Sequence, residues 1–240
     1  MISKVKNDLF DYKNRYIMQM KDGFKFSLDS LLLAEFVNIK KDDKKILDMC
    51  TGNAPVPLVL SLKSDAEIIG FEIQKEISEL ALESVKINGL EKNIKIINDD
   101  IKNIDNYFDS NTFDIITCNP PYFKTKENGY RNKNDFLSLA RHEIAINLET
   151  IFKIASRYLK SNKAFYLVHR VERLDDIIVL ARENKMNVKE LQFISTKKEK
   201  AANTILVKCV KNGKPGIKLR KEICVDNLDT YQHLFEREVF

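Results

Sequence analysis

Lys45-Ile46-Leu47-Asp48-Met49-Cys50 is the stretch that decides the fold, because this short apolar run is followed at once by a loop of small residues. The loop, Thr51-Gly52-Asn53-Ala54-Pro55, leads into the apolar segment Val56 to Leu62, which predicts a short helix. A nearly continuous apolar run of this length is typical of a strand buried on both faces of a parallel sheet. The stretch therefore predicts a strand, a loop and a helix as one unit of an α/β sheet.

Strand and helix patterns alternate along the rest of the chain. Gly89 marks the end of one helix, since glycine readily takes the conformation that follows a helix. No helix pattern separates the last two strands, so we expect them to pair antiparallel. The other predicted strands span 67–72, 94–97, 113–118, 164–168, 188–194 and 204–210, and the other predicted helices span 28–36, 74–88, 148–159 and 174–183. The fold class is α/β: a seven-stranded, mostly parallel sheet with helices on both faces and a C-terminal antiparallel strand pair.

The first 26 residues differ from the rest, because they are basic and carry interleaved aromatic residues. Ser27 has the features of a helix N-cap and precedes a helical pattern. The predicted organisation is a basic arm at 1–26 packed on the core, and a single domain at 27–240. A chain of 240 residues with 44% hydrophobic residues is long enough for one large core.

The positive charge is concentrated in two segments. From Lys185 to Lys221 eleven lysines and arginines stand against two glutamates, and from Met1 to Lys25 six stand against three aspartates. The net charge of the whole chain is only +5, so the remainder is acidic. Two basic segments around an acidic middle favour a polyanionic partner such as a nucleic acid.

Several classes of protein are not favoured. No apolar run approaches the roughly 18 residues needed to cross a bilayer, and the N-terminus has no signal-peptide pattern. The four cysteines are far apart and the three histidines lack metal-ligand spacing, so neither a disulfide framework nor a zinc site is expected. We expect a cytoplasmic protein without a membrane partner or a metal, either a monomer or a weak homodimer.

Acidic and small residues follow the predicted strands, where ligands bind in open parallel sheets. Glu72 ends the second strand and can accept hydrogen bonds from both ribose hydroxyls of a nucleoside. A carboxylate at Asp99-Asp100 can accept from an adenine amino group. Acidic residues would repel a pyrophosphate, whereas Asp48 tolerates the cationic methionine end of S-adenosylmethionine. That cofactor is therefore predicted, bound by Asp48, Thr51, Gly52, Asn53, Glu72, Ile73, Asp99, Asp100, Ile101 and Asn119.

Asn119-Pro120-Pro121-Tyr122 follows the strand at 113–118 and can continue neither a helix nor a central strand. The side-chain oxygen of Asn119 and the carbonyl of Pro120 can accept two N–H bonds, and Tyr122 can stack on a flat ring. This geometry favours methyl transfer to a nitrogen that bears two hydrogens, such as an adenine amino group or an amide. The predicted catalytic residues are Asn119, Pro120 and Tyr122.

Several blocks of the sequence resemble one bacterial family, the tRNA(Val) (adenine-37-N6)-methyltransferases. The blocks are Phe24 to Leu33, Asn119 to Phe123, Ala140 to Glu143, Ala201 to Val207 and Gly213 to Gly216. The resemblance implies the class I, Rossmann-like methyltransferase fold. One segment departs from the usual Asp-x-Gly-x-Gly-x-Gly pattern of methyltransferases, because Cys50 and Ala54 replace two of its glycines.

The family resemblance implies that the substrate is adenine-37, which is unpaired beside the anticodon of a tRNA. Extruding an unpaired base costs less than extruding one from a duplex. The basic segments would then contact phosphates of the anticodon stem-loop. The substrate-binding residues expected on this basis are Pro121, Tyr122, Phe123, Arg131, Arg141, Lys197, Lys198 and Lys200.

Two alternatives share the Asn-Pro-Pro-Tyr motif. A protein-glutamine N5-methyltransferase acting on release factors presents the same kind of NH2 group, but such enzymes usually carry a helical N-terminal domain. Only about 44 residues precede the first strand here. The other alternative is an N6-adenine methyltransferase acting on another RNA or on DNA, and a DNA enzyme would usually need a target-recognition domain.

Overall fold

A computed structural model describes residues 3–10, 12, 14–21, 27–121 and 146–226. It begins with an antiparallel hairpin of β1 (Lys4–Asp8) and β2 (Tyr16–Met20). The central sheet contains all seven strands that the sequence predicts, with ends that differ by a few residues. These strands are β3 (Lys45–Met49), β4 (Glu67–Phe71), β5 (Ile94–Ile97), β6 (Phe113–Cys118), β7 (Leu159–Arg170), β8 (Met186–Ser195) and β9 (Thr204–Lys211).

The seven strands lie side by side in the order β8-β9-β7-β6-β3-β4-β5. Strands β3 to β7 are mutually parallel, and β9 pairs antiparallel with both β7 and β8, which confirms the predicted C-terminal strand pair. Two short strands, β10 (Lys218–Leu219) and β11 (Ile223–Cys224), also pair with β8. Segments of two residues carry no periodic pattern, so the sequence did not predict them.

Five helices lie in the described part of the chain and cover both faces of the sheet. They are α1 (Leu28–Phe36), α2 (Pro55–Leu60), α3 (Lys75–Ile87), α4 (Leu148–Tyr158) and α5 (Leu174–Glu183), with 3-10 helices at Ile101–Asn106 and Val171–Arg173. Neighbouring residues of β7 illustrate the two faces, since Phe165 packs on Phe152 of α4 and Tyr166 packs on Phe36 of α1. None of these helices combines the length and the apolar character needed to cross a membrane.

The N-terminal segment is a hairpin that packs on α3, a detail that the predicted basic arm did not include. The backbone N–H of Tyr16 donates to Asn88 Oδ1 and that of Met18 donates to Ser84 Oγ, both at 2.9 Å. The carbonyl of Met18 accepts from Asn53 Nδ2 at 2.8 Å, so the hairpin also contacts the loop after β3. Residues 22–26 lie outside the described residues, and the predicted boundary at Ser27 stays a prediction.

Candidate active site

The carboxyl ends of β3 to β7 open into a cavity of about 520 Å³. Its walls follow the strand order, because parallel strands end at one edge of the sheet. Residues after β5 and β4 form one end, the loop after β3 and the residues after β6 form the middle, and the end of β7 forms the other end. The lining residues are Ser27, Asp29, Ser30, Cys50, Thr51, Gly52, Asn53, Pro55, Phe71, Glu72, Ile73, Gln74, Asp99, Asp100, Ile101, Asn119, Pro120, Pro121, Ile146 and Arg170.

Asp48 is not among the lining residues, although the sequence placed it in the cofactor site. Its side chain is buried, at 1% exposure, and supports the loop from below. Oδ2 accepts from Thr51 Oγ1 at 2.7 Å and Oδ1 accepts from Thr117 Oγ1 at 2.6 Å. Because Asp48 pairs in register with Thr117 of β6, the carboxylate ties the loop after β3 to the strand that leads to Asn119.

The buried surroundings of Asp48 disfavour the charged form of its carboxyl group. Burial raises its pKa from 3.8 to about 7, the threonine hydroxyls oppose the rise, and the Glu72 charge adds to it. The unfolded chain loses this proton near pH 4, whereas the folded protein keeps it until about pH 7. Stability therefore falls as the pH rises between these values and is constant above them.

The substitution Asp48→Asn removes this dependence on pH. We expect the free energy of unfolding of the wild-type protein to fall, relative to the variant, by about 4 kcal/mol between pH 4 and pH 8. Asparagine still accepts one hydroxyl proton, and the second threonine hydroxyl can rotate to accept from the amide. Urea unfolding at several pH values measures the difference, and parallel profiles for the two proteins would contradict the assigned pKa.

Glu72 lies in the cavity wall at the end of β4, where the sequence predicted it. Its Oε2 accepts from the backbone N–H of Gly52 at 3.0 Å, and its Oε1 accepts from that of Gln74 at 2.9 Å. The two backbone contacts therefore hold the carboxylate in the cavity wall.

Asp99 and Asp100 both reach the cavity wall after β5, but they have different surroundings. Asp99 accepts from Asn103 and from the Tyr107 hydroxyl, both at 2.8 Å, and these hydrogen bonds lower its pKa. Asp100 is the N-cap of the 3-10 helix and accepts from the N–H of Lys102 at 3.0 Å. Both carboxylate oxygens of Asp99 thus accept hydrogen bonds from side chains, whereas Asp100 caps the start of the 3-10 helix.

The loop after β3 keeps a glycine-like backbone at the positions where glycine is missing. Cys50 and Ala54 both have positive φ, at 60° and 74°, as does Gly52 at 59°. Such non-glycine conformations cost roughly 1–3 kcal/mol each. The loop has a further requirement that the sequence pattern did not reveal: a Cβ on Gly70 of β4 would lie 2.8 Å from Thr51 Oγ1.

Asn119 is oriented by two serines of the first helix. Its Nδ2 donates to Ser30 Oγ at 2.8 Å and to Ser27 Oγ at 3.4 Å. No described residue donates to its Oδ1. The predicted N-cap Ser27 makes no side-chain cap on α1, so its hydroxyl serves this contact instead. Fixing the NH2 end of the amide leaves the oxygen as the end available to a ligand, and Pro120 and Pro121 also line the cavity.

The remaining predicted residues fall into two groups. Tyr122, Phe123, Arg131 and Arg141 lie outside the described residues. Lys197, Lys198 and Lys200 are exposed in the loop between β8 and β9, away from the cavity wall.

Sequence reasoning missed five cavity residues with polar or charged side chains: Ser27, Asp29, Ser30, Gln74 and Arg170. Ser27 was interpreted only as a helix cap. The sequence did offer one indication for Arg170, because this positively charged residue lies two positions after the predicted strand 164–168, at the sheet edge where ligands bind.

Comparisons with known proteins agree with this architecture. A family model described as "Methyltransferase domain" matches residues 40–224. A tRNA1(Val) (adenine(37)-N6)-methyltransferase of Tolumonas auensis is 26% identical over 92% of this chain and 90% of its own length.

Two solved structures share the fold. A protein from Agrobacterium tumefaciens described as a predicted O-methyltransferase aligns with a TM-score of 0.64 at 18% identity, over 82% of this chain and 87% of that one. The structure of M. jannaschii TYW2 in complex with AdoMet aligns with a TM-score of 0.58 at 12% identity, over 88% of each chain. These likenesses confirm the class I methyltransferase fold. Because the family model accounts for well over half of the sequence, this chain belongs to the methyltransferase-domain family.

Proposed function

We propose that the protein transfers a methyl group from S-adenosylmethionine to N6 of an adenine in tRNA, and that the target is adenine-37 beside the anticodon of tRNA(Val). The observation that carries the proposal is the orientation of Asn119. Its NH2 group is held by Ser30, so its oxygen is presented at the cavity beside the Pro120 backbone. An acceptor pair of this kind suits an NH2 group on a planar ring.

The cavity residues fit the cofactor in size and chemistry. Glu72 is held in the cavity wall by two backbone N–H groups, and its carboxylate can accept hydrogen bonds from ribose hydroxyls. Ile73 lines the cavity and is 46% exposed, which is unusual for an isoleucine and provides an apolar surface for the adenine ring; Asp100 also lines the cavity. Thr51, Gly52 and Asn53 supply the loop along which the methionine end would lie.

The chemistry divides between the cofactor and the chain. When bound, S-adenosylmethionine supplies an electrophilic methyl group on a sulfonium. Asn119 Oδ1 and the Pro120 carbonyl accept the two N–H bonds of the substrate amino group, which directs its lone pair away from the ring. Positioning of this kind supplies much of the acceleration in two-substrate reactions. Neither acceptor is a base, so the amino proton passes to solvent.

The choice of tRNA as substrate rests on the relatives and on charge. The relative from Tolumonas auensis aligns over nearly its whole length, and its printed name specifies adenine 37 of tRNA1(Val). The β8–β9 loop carries Lys197, Lys198 and Lys200, all of them exposed. This loop emerges at the same sheet edge as Asn119, because β8 runs parallel to β7 and β6.

The test is methylation of total tRNA that lacks this modification, with labelled S-adenosylmethionine and purified protein. We expect one labelled nucleoside, N6-methyladenosine, which maps to position 37 of tRNA(Val). Release-factor protein and duplex DNA serve as competing substrates under the same conditions. Label in a glutamine of the release factor, or in DNA but not in tRNA, would overturn the proposal.

A further inference from the structure

Arg170 is distinctive because of its charge and its place in the cavity wall. Among the described residues that line the cavity it is the only lysine, arginine or histidine, whereas Asp29, Glu72, Asp99 and Asp100 are acidic. An anionic group of a substrate would therefore be attracted at one place in the wall and repelled near these four carboxylates.

The strand order determines where that place is. Along the carboxyl edge of the sheet, the residues after β5, β4 and β3 come first, Asn119 follows β6, and Arg170 ends β7. Cys118 pairs with Leu167, so Arg170 stands three residues beyond that pair while Asn119 stands one beyond it. Arg170 is therefore on the far side of Asn119 from the carboxylates of the proposed cofactor site.

Contacts with β9 and with the neighbouring His169 fix the end of β7. Arg170 pairs in register with Thr204 of β9, and its Nη1 donates to Thr204 Oγ1 at 3.3 Å. Its backbone N–H donates to Nδ1 of His169 at 2.9 Å. Burial lowers the pKa of His169 to about 4, so this imidazole is neutral at neutral pH and keeps an acceptor nitrogen. The guanidinium thus projects from a rigid strand end.

The loop between β8 and β9 extends the same edge. Ile194 pairs with Thr204, which itself pairs with Arg170, so the loop leaves the sheet beside the end of β7. Lys197, Lys198 and Lys200 of this loop are exposed. A nucleic-acid strand that crosses the loop would pass Arg170 before one of its bases reached Asn119.

We propose that Arg170 binds the phosphodiester next to the target nucleotide and so sets the depth to which the base enters the cavity. A planar guanidinium suits two oxygens of one phosphate, which fixes orientation as well as position. This inference rests on the proposed function, since it assumes a single-stranded RNA substrate.

The experiment uses the full-length protein and anticodon stem-loop RNAs in which one linkage, on either the 5′ or the 3′ side of the target adenosine, is an uncharged methylphosphonate. For Arg170→Gln with unmodified RNA, we expect KM to rise about tenfold or more. The slope of log KM against log salt should fall by about 0.7, the value for one phosphate of a single strand. S-adenosylmethionine affinity should be unchanged.

The modified RNAs separate a phosphate contact from a structural role. In the wild type, one of the two neutral linkages should raise KM as much as the substitution does, and in Arg170→Gln that linkage should have no further effect. Arg182→Gln, an exposed arginine of α5, is the matched control and should respond to the linkages like the wild type. If Arg170→Gln does not fold, the same measurements are made on Arg170→Lys, which keeps the charge but lacks the planar guanidinium.

The outcomes distinguish this inference from the proposed function. A wild-type protein that methylates no RNA would refute the function. An active wild type whose Arg170→Gln variant has the same KM, or responds to both neutral linkages as the wild type does, would refute the inference alone. Weakened S-adenosylmethionine binding in Arg170→Gln would assign the guanidinium to the cofactor carboxylate and would also refute it.

Discussion

Asn119→Ala is expected to reduce kcat by about 100- to 1000-fold while S-adenosylmethionine still binds. In the proposed mechanism the side chain presents one of two acceptors that orient the substrate amino group, and loss of one preorganised hydrogen bond in a reaction centre has an effect of this size elsewhere. Among the described residues, the side-chain hydrogen bonds of Asn119 go to Ser30 and Ser27 and not to Glu72 or to the loop after β3. Single-turnover methylation and calorimetric cofactor binding measure the two effects separately.

Two further variants make the result specific. Asn187→Ala removes an asparagine of β8 that donates to the Gly213 carbonyl, away from the cavity, and should leave turnover unchanged. Ser30→Ala should lower kcat less than Asn119→Ala does, because it frees the amide to rotate without removing it. Turnover of Asn119→Ala close to that of the wild type would refute the assigned role of the amide.

Reversal of the charges in the β8–β9 loop should have the second large effect. Replacing Lys197, Lys198 and Lys200 by glutamate should weaken tRNA binding by about 10- to 100-fold at moderate salt and lower the salt slope by about 2, as expected for three lost phosphate contacts. The three side chains are exposed, so the folded structure should tolerate the change. Filter binding across a salt titration gives both quantities.

A matched triple variant at the opposite end of the sheet is the control. Lys86, Lys92 and Lys95 are also exposed and lie on α3, in the following turn and on β5, at the far end of the strand order. Their replacement by glutamate changes the net charge equally and should leave the salt slope unchanged. If both triple variants weaken tRNA binding to the same extent, the β8–β9 loop makes no specific contact and the effect comes from the net charge of the protein alone.

Local pattern predicted most of the fold because the central strands β3, β4 and β6 are short, apolar and almost entirely buried. Phe113–Cys118 is buried throughout, and the alternation of such runs with amphipathic helices leaves few other arrangements. The N-terminal hairpin and β10 were missed for a physical reason. Strand β1 is exposed at four of its five positions and β10 has only two residues, so neither carries an apolar periodicity.

The structure brings most of the residues predicted at the strand ends to one cavity and shows contacts that the sequence did not predict. Glu72, Asp100 and Asn119 line the cavity as expected, because the carboxyl ends of parallel strands share one edge. Asp48 faces inward instead, since two threonine hydroxyls on neighbouring elements hold its carboxylate. A sequence shows that a residue ends a strand, but whether its side chain faces ligand or core depends on what packs against it.

By itself the sequence determined the α/β class, the order of strands and helices, and the polar residues at the strand ends, because these follow from periodicity over a few neighbouring residues. Only the tertiary structure decided that Ser30 orients Asn119, that Gly70 leaves room for Thr51, and that Arg170 stands beyond Asn119 in the cavity wall. These relations join residues that are 19 to 89 positions apart, the longest being the Asn119–Ser30 hydrogen bond. Such contacts depend on which strands and helices lie side by side in the folded protein, and no local pattern specifies that arrangement.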